Sequence, residues 1–200
     1  MVGFYKFFLL FLFFGSLYST AQEKPPSKPS VQDLDFLIGT WQISFSFYDT
    51  HKPERGVIFT ETGTQECRYD MELNGVPMFI TCEGEVTVDS GVFKGRTRSF
   101  REAIRYSSFI KKAFERIGLY SNWPATALET LSYNFEARTL EIRGELDVQK
   151  GLLERYEDIY RFNANYTEYT RTNVANFSDM PITEFNLTVE GQGAKLEERK

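Results

Sequence analysis

Cysteine and histidine are scarce in this chain of 200 residues: two cysteines, Cys67 and Cys82, and one histidine, His51. A zinc site built on histidines, or a serine-type triad, would therefore rest on His51 alone. That residue falls in the loop Asp49–Arg55 after the first expected strand, where a solvated side chain is the plainer expectation. Cysteine nucleophiles are excluded if the two thiols are bonded to each other. No metal and no cofactor is expected. Basic excess is missing as well: 23 Lys and Arg stand against 28 Asp and Glu, which argues against nucleic acid as a partner. Beyond the N-terminal segment no long apolar run recurs, so no membrane span is expected.

Aromatic residues are abundant, at 16% with 19 Phe. Many crowd the N-terminus, where Lys6 precedes the apolar run Phe7–Phe14 and Ser19-Thr20-Ala21 precedes Gln22. Small residues at −3 and −1 behind a short apolar stretch have the layout of a secretory signal, expected to cover residues 1–21. Its removal takes away Lys6 and leaves ~180 residues, one domain's worth. No cysteine stands immediately after the cleavage point, which disfavours a lipoprotein anchor. An exported protein, periplasmic or extracellular, is expected, with its oligomeric state left open.

Gln22–Ser30, rich in proline and charge, reads as an extended tether. The domain is expected over residues 31–190, with a disordered tail at 191–200. Leu34, Leu37 and Ile38 fall on helical spacing before Gly39, predicting one short helical turn. The period then changes to two: Trp41, Ile43, Phe45 and Phe47 alternate with Gln42, Ser44 and Ser46, a strand with one buried face.

Asn74-Gly75 predicts a two-residue type I′ hairpin. That turn sets Leu73 opposite Val76, Met71 opposite Met78, Tyr69 opposite Ile80, and Cys67 opposite Cys82. Cross-strand Cα atoms lie within the range a disulfide spans, and in an exported protein the bond is expected to form. Two buried free thiols are the alternative. Turns at Asp89-Ser90-Gly91 and Gln149-Lys150-Gly151 lead into strands over Val92–Phe100 and Leu152–Phe162. Leu140, Ile142, Gly144 and Leu146 form another inward face. Arg101–Tyr120 fits either a basic amphipathic helix or a hairpin. The echo of Tyr106–Glu115 in Tyr133–Glu141, which joins two well-patterned strands, favours the hairpin. The predicted fold is all-β: an antiparallel up-and-down meander of about 9–10 strands, closed into a barrel to remove its edges, with a sandwich as the nearest rival.

Asp35 to Trp41, with its Gly39-Thr40-Trp41, resembles the start of lipocalin and calycin barrels, in which a short helical turn leads through Gly-x-Trp into the first strand. Leu37–Trp41, the two basic hairpin loops and Leu140–Glu145 also resemble exported bacterial lipocalin-like proteins of uncharacterised function and about this size. The resemblance covers roughly residues 34–189. It implies a calycin-like barrel with a cavity at one end that binds small apolar molecules rather than catalysing a reaction. It further implies that the indole of Trp41 closes the narrow end beneath a late-strand arginine, for which Arg171 is the nearest candidate.

Trp41, Phe45, Tyr69, Met71 and Met78 are expected to line the interior, as ligand contacts or as plain core. Trp123 falls in a loop, either as a lip over ligand or as a plug. On Leu152–Phe162, Glu154, Tyr156, Asp158, Tyr160 and Phe162 share one face. If that face points inward, Glu154 and Asp158 enter the cavity to bind a polar group, to serve as an acid/base pair, or to pair with neighbouring arginines. Set four residues apart on a strand, they lie ~13 Å from each other, too far for a retaining glycosidase pair. The leading expectation is a non-catalytic barrel binding a small, largely apolar ligand. Its rivals are a filled barrel acting in the cell envelope through its loops, and a hydrolase or isomerase using cavity carboxylates and tyrosines.

Overall fold

The computed structural model describes residues 29–50, 52–108, 112–121, 126–149, 152–177 and 187–197. Its strands are β1 (Gly39–Asp49), β2 (Val57–Leu73), β3 (Val76–Val88), β4 (Thr97–Ser107), β5 (Ala113–Tyr120), β6 (Ala127–Asn134), β7 (Thr139–Gln149), β8 (Leu152–Phe162), β9 (Glu168–Phe177) and β10 (Leu187–Lys195). Each pairs antiparallel with its chain neighbours, and β10 pairs with β1, so the sheet is a closed ten-stranded barrel. Closure leaves no long edge unpaired around the wall. Arg101–Tyr120 forms the β4–β5 hairpin, with Ser107 opposite Ala113.

Before β1, Val31–Leu37 forms a 3-10 helical turn started by a capping box, in which Ser30 accepts from the backbone and Asp33 reaches back to it. Its buried face is Val31, Leu34 and Phe36. Leu37 and Ile38, expected on that face, are only partly buried, because the backbone kinks at Leu34 (φ −111°, ψ 22°), which turns Phe36 inward, and Ile38 is already extended. The turn plugs one barrel end. Beneath it Trp41, Ile43, Cys67, Ile80, Cys82, Ile104, Leu131, Leu140, Ile142 and Phe162 form the apolar core.

Cys67 and Cys82 are directly opposed in the β2–β3 ladder and joined by a disulfide, with Cα atoms 4.0 Å apart. Asn74 and Gly75 take the positive φ values, 54° and 76°, of the expected turn. Cys67 is also where β1 ends, at its partner Gly39. Beyond it the β2–β3 hairpin overhangs the barrel. Tyr69, Met71 and Met78 are therefore not interior residues as expected, but 37%, 67% and 42% exposed. No β1 strand remains beside them to make an interior.

Two boundaries also move. The strand expected over Val92–Phe100 begins at Thr97, because Gly91 and Gly95 hold a wider loop with positive φ. Gly191–Lys195, expected in a loose tail, belong to β10 and pair with β1. The signal segment, most of the tether, His51 and Trp123 lie outside the described residues. Among the described residues no helix is long and apolar enough to cross a membrane.

Candidate functional site

A cavity of about 210 Å3 opens beyond the apolar core. Its polar floor comes from inward positions on five strands: Glu102 on β4, Arg116 on β5, Glu129 on β6, Asp158 on β8 and Arg171 on β9. Register brings them together, since Arg116 stands directly opposite Glu129 and Asp158 opposite Asn173. Arg116 and Glu129 form a two-point pair, with Nη2 donating to Oε1 at 2.8 Å and Nε to Oε2. Its Nη1 lies 3.1 Å from Glu102 Oε1, and its Nη2 lies 3.6 Å from Asp158 Oδ2. Arg171 grips Asp158 with Nε at 2.8 Å and Nη2 at 2.9 Å. Nearer the other rim, Arg98 holds Glu61 through Nε and Nη2, the shortest contact being 2.6 Å. Fixed guanidinium forks of this kind suit buried carboxylates.

Aromatic side chains complete the wall, and three of them use a glycine to cross a strand. Tyr156 on β8 lies over Gly144 of β7 and donates its hydroxyl to Glu129 on β6. Phe45 on β1 lies over Gly191 of β10, placing its ring 5.1 Å from the Arg171 guanidinium on β9. By the same device Tyr169 on β9 crosses Gly193 of β10 to reach Trp41 on β1, with ring centroids 5.2 Å apart. Without a Cβ, the middle strand lets a ring lie flat on its backbone.

Burial sets the protonation states. Asp158 is 1% exposed. Burial alone would raise its pKa, yet Arg171 and Arg116 beside it hold the carboxyl below its ordinary range. Burial, and then the Glu102 carboxylate that accepts its hydroxyl at 3.0 Å, pushes Tyr120 well up. Tyr156 is raised by burial and by Glu129. Tyr160 is pushed up to about 12, mainly by burial. Near neutral pH the floor thus holds Asp158 ionised between its arginines and the phenols neutral.

Of the residues expected to meet a ligand, Phe45, Tyr156, Asp158 and Tyr160 line this cavity. Trp41 does not: it is 2% exposed in the closed end, with Nε1 donating to the Leu37 carbonyl at 2.9 Å. The cation over its indole is Lys195, 5.1 Å away, rather than Arg171, because β10 runs further than expected. Glu154 is paired in register with Leu146 and Phe177, but its side chain lies outside the described residues, as does Trp123. Sequence reasoning missed Arg98, Glu102, Arg116 and Glu129. Their one available signal was alternation with Phe100 and Ile104 on β4 and with Ala127 and Leu131 on β6, positions that share an inward face.

No protein-family model matches the chain, and no curated protein matches it. Among solved structures, the S-type phycobiliprotein lyase CPES from Guillardia theta is similar with a TM-score of 0.56 at 12% identity, over 86% of this chain and 96% of that one. Two redesigned β-barrels bound to DFHBI, mFAP0 and mFAP1, are similar at 12% identity with TM-scores of 0.38 and 0.39, over 80% of this chain and 99% and 96% of theirs. The likeness is one of fold, and the fold is a closed ten-stranded antiparallel β-barrel.

Proposed function

We propose that the protein is an exported, non-catalytic barrel that holds a small molecule in this cavity. The observation that carries the reading is an open space of about 210 Å3 walled by aromatic rings over a floor of buried ion pairs. A barrel serving only as scaffold has no need of such a space. The rings suit the apolar body expected of the ligand, and the charged floor adds a requirement for a polar group. Carrier rather than catalyst is favoured because Asp158 is gripped by two arginines and the tyrosines are held neutral, leaving none of these groups poised to exchange a proton near pH 7. Export rests on the N-terminal signal pattern, and the disulfide suits an oxidising compartment.

The test is native mass spectrometry of the protein purified from its own host. A small molecule retained in gentle conditions and lost on collisional activation is expected, on a chain that begins at Gln22. A bare mass that also takes up no aromatic probe would oppose the carrier reading, and a chain beginning at Met1 would oppose export.

The overhanging hairpin favours a second reading, an interaction protein, since it presents Met71, Leu73 and Val76 at 67%, 60% and 47% exposure. Serine at Met71 and Leu73 would then abolish partner capture while leaving cavity binding intact.

A further inference from the structure

The cavity's charges do not balance. Among the described residues its walls and the groups paired to them hold four carboxylates, Glu61, Glu102, Glu129 and Asp158, against three guanidiniums, Arg98, Arg116 and Arg171. The geometry says which carboxylate is left over. Glu61 is held at both oxygens by Arg98, Asp158 at both by Arg171, and Glu129 at both by Arg116. Glu102 has no arginine to itself. It shares Arg116 through one contact on Oε1, and the Tyr120 hydroxyl donates to that same oxygen. Among the described residues Glu102 Oε2 has no protein partner, and it is not sealed off, because Glu102 lines the cavity with its side chain 10% exposed.

Resting on the carrier reading, we propose that the ligand bears a single positive charge, a protonated amine or amidine on a flat aromatic body, and that Glu102 is its counter-ion. A cation satisfies Oε2 and brings the site to neutrality, whereas an anion would have to approach guanidiniums already neutralised by two-point carboxylate pairs and would deepen the excess. Phe45, Phe100 and Tyr160 already carry the guanidiniums of Arg171 and Arg98 over their faces, so the preference for positive charge rests on Glu102, while the cavity's rings supply apolar surface for the ligand's flat body. Its volume lies below the ~300–1,000 Å3 of drug-sized pockets, which suits a body of one or two rings.

The experiment is calorimetric titration of the mature protein at pH 7 with three probes of one shape: 1-naphthylmethylamine, 1-naphthalenemethanol and 1-naphthoic acid. The ammonium is expected to bind at least ~10-fold more tightly than the alcohol, as a charge-assisted bond to a buried carboxylate requires, with the carboxylate weakest. Glu102→Gln is expected to bring amine and alcohol within about threefold, because the amide still accepts from Tyr120 but carries no charge. Equal binding of amine and alcohol, or a preference for the naphthoate, overturns the cation and leaves the carrier reading standing. No binding by any probe overturns both. The ranking on the unaltered protein decides without the variant.

Discussion

Gly144 stands directly across the β7–β8 ladder from Tyr156, and a Cβ on it would lie 2.4 Å from the tyrosine ring. The glycine therefore holds Tyr156 flat on the strand and delivers its hydroxyl to Glu129. Gly144→Val should lift the ring, break that bond and destabilise the fold by about 1–3 kcal/mol, the usual range for overpacking. Urea denaturation of Gly144→Val, Tyr156→Ala and the double variant checks it. The double should be less destabilised than the two singles added together, and strict additivity would refute the steric account.

The floor makes a second prediction. Asp158→Ala leaves Arg171 and Arg116 facing a lost carboxylate in a site with 1% exposure. Breaking one side of a buried ion pair costs about 3–5 kcal/mol. Removing the charge on both sides, with Asp158→Leu and Arg171→Met, should restore a substantial part of that stability, since Arg171 is then no longer buried without its carboxylate. Denaturation midpoints of the single and double variants decide it.

How far this was legible in the sequence depends on what each pattern encodes. Asn74-Gly75 fixed a register, and with it the Cys67–Cys82 pairing, because a two-residue turn admits one alignment. Inward direction was legible on β8, where aromatic residues mark the face. It was not legible on β5 and β6. There Leu119 and Leu128 lie outside at 49% and 52% exposure while Arg116 and Glu129 lie inside. Alternation assigns charge to solvent, and only the β5–β6 register, which sets Arg116 opposite Glu129, lets the two charges lie inside as a pair. Lys195 was missed for a related reason: a charged C-terminal stretch reads as tail until its pairing with β1 is seen.

The disulfide predicts a local effect as well as a global one. It closes a segment of sequence separation 15 at the base of the overhanging hairpin. Alanine at both Cys67 and Cys82 should destabilise the protein by about 2–4 kcal/mol, and hydrogen exchange should accelerate most from Arg68 to Thr81, where β1 no longer flanks β2. Intact mass should rise by about 2 Da on reduction. Uniform acceleration around the whole barrel would contradict the stapling role.

Stability should fall at both pH extremes for separate reasons. Tyr160 has its pKa raised by burial from 10.0 to about 12, so the folded state holds a proton that the unfolded state releases earlier. Its contribution is complete below pH 10.0 and is lost as pH climbs toward about 12. Tyr120, Tyr156 and Tyr169 are displaced in the same direction, chiefly by burial. Lys195, lowered from 10.5 mainly by burial, works the other way, but it is a single group against four. On the acid side, Asp158 is depressed below 3.8 by its arginines despite burial, so its contribution is complete above 3.8 and is lost as pH falls through its lowered folded value. Tyrosinate absorbance followed with circular dichroism from neutral to strongly alkaline pH tests the first limb. The buried tyrosines should ionise together with loss of the barrel signal, and ionisation of all of them near pH 10 with the barrel intact would mean that the phenols are not held as the structure places them.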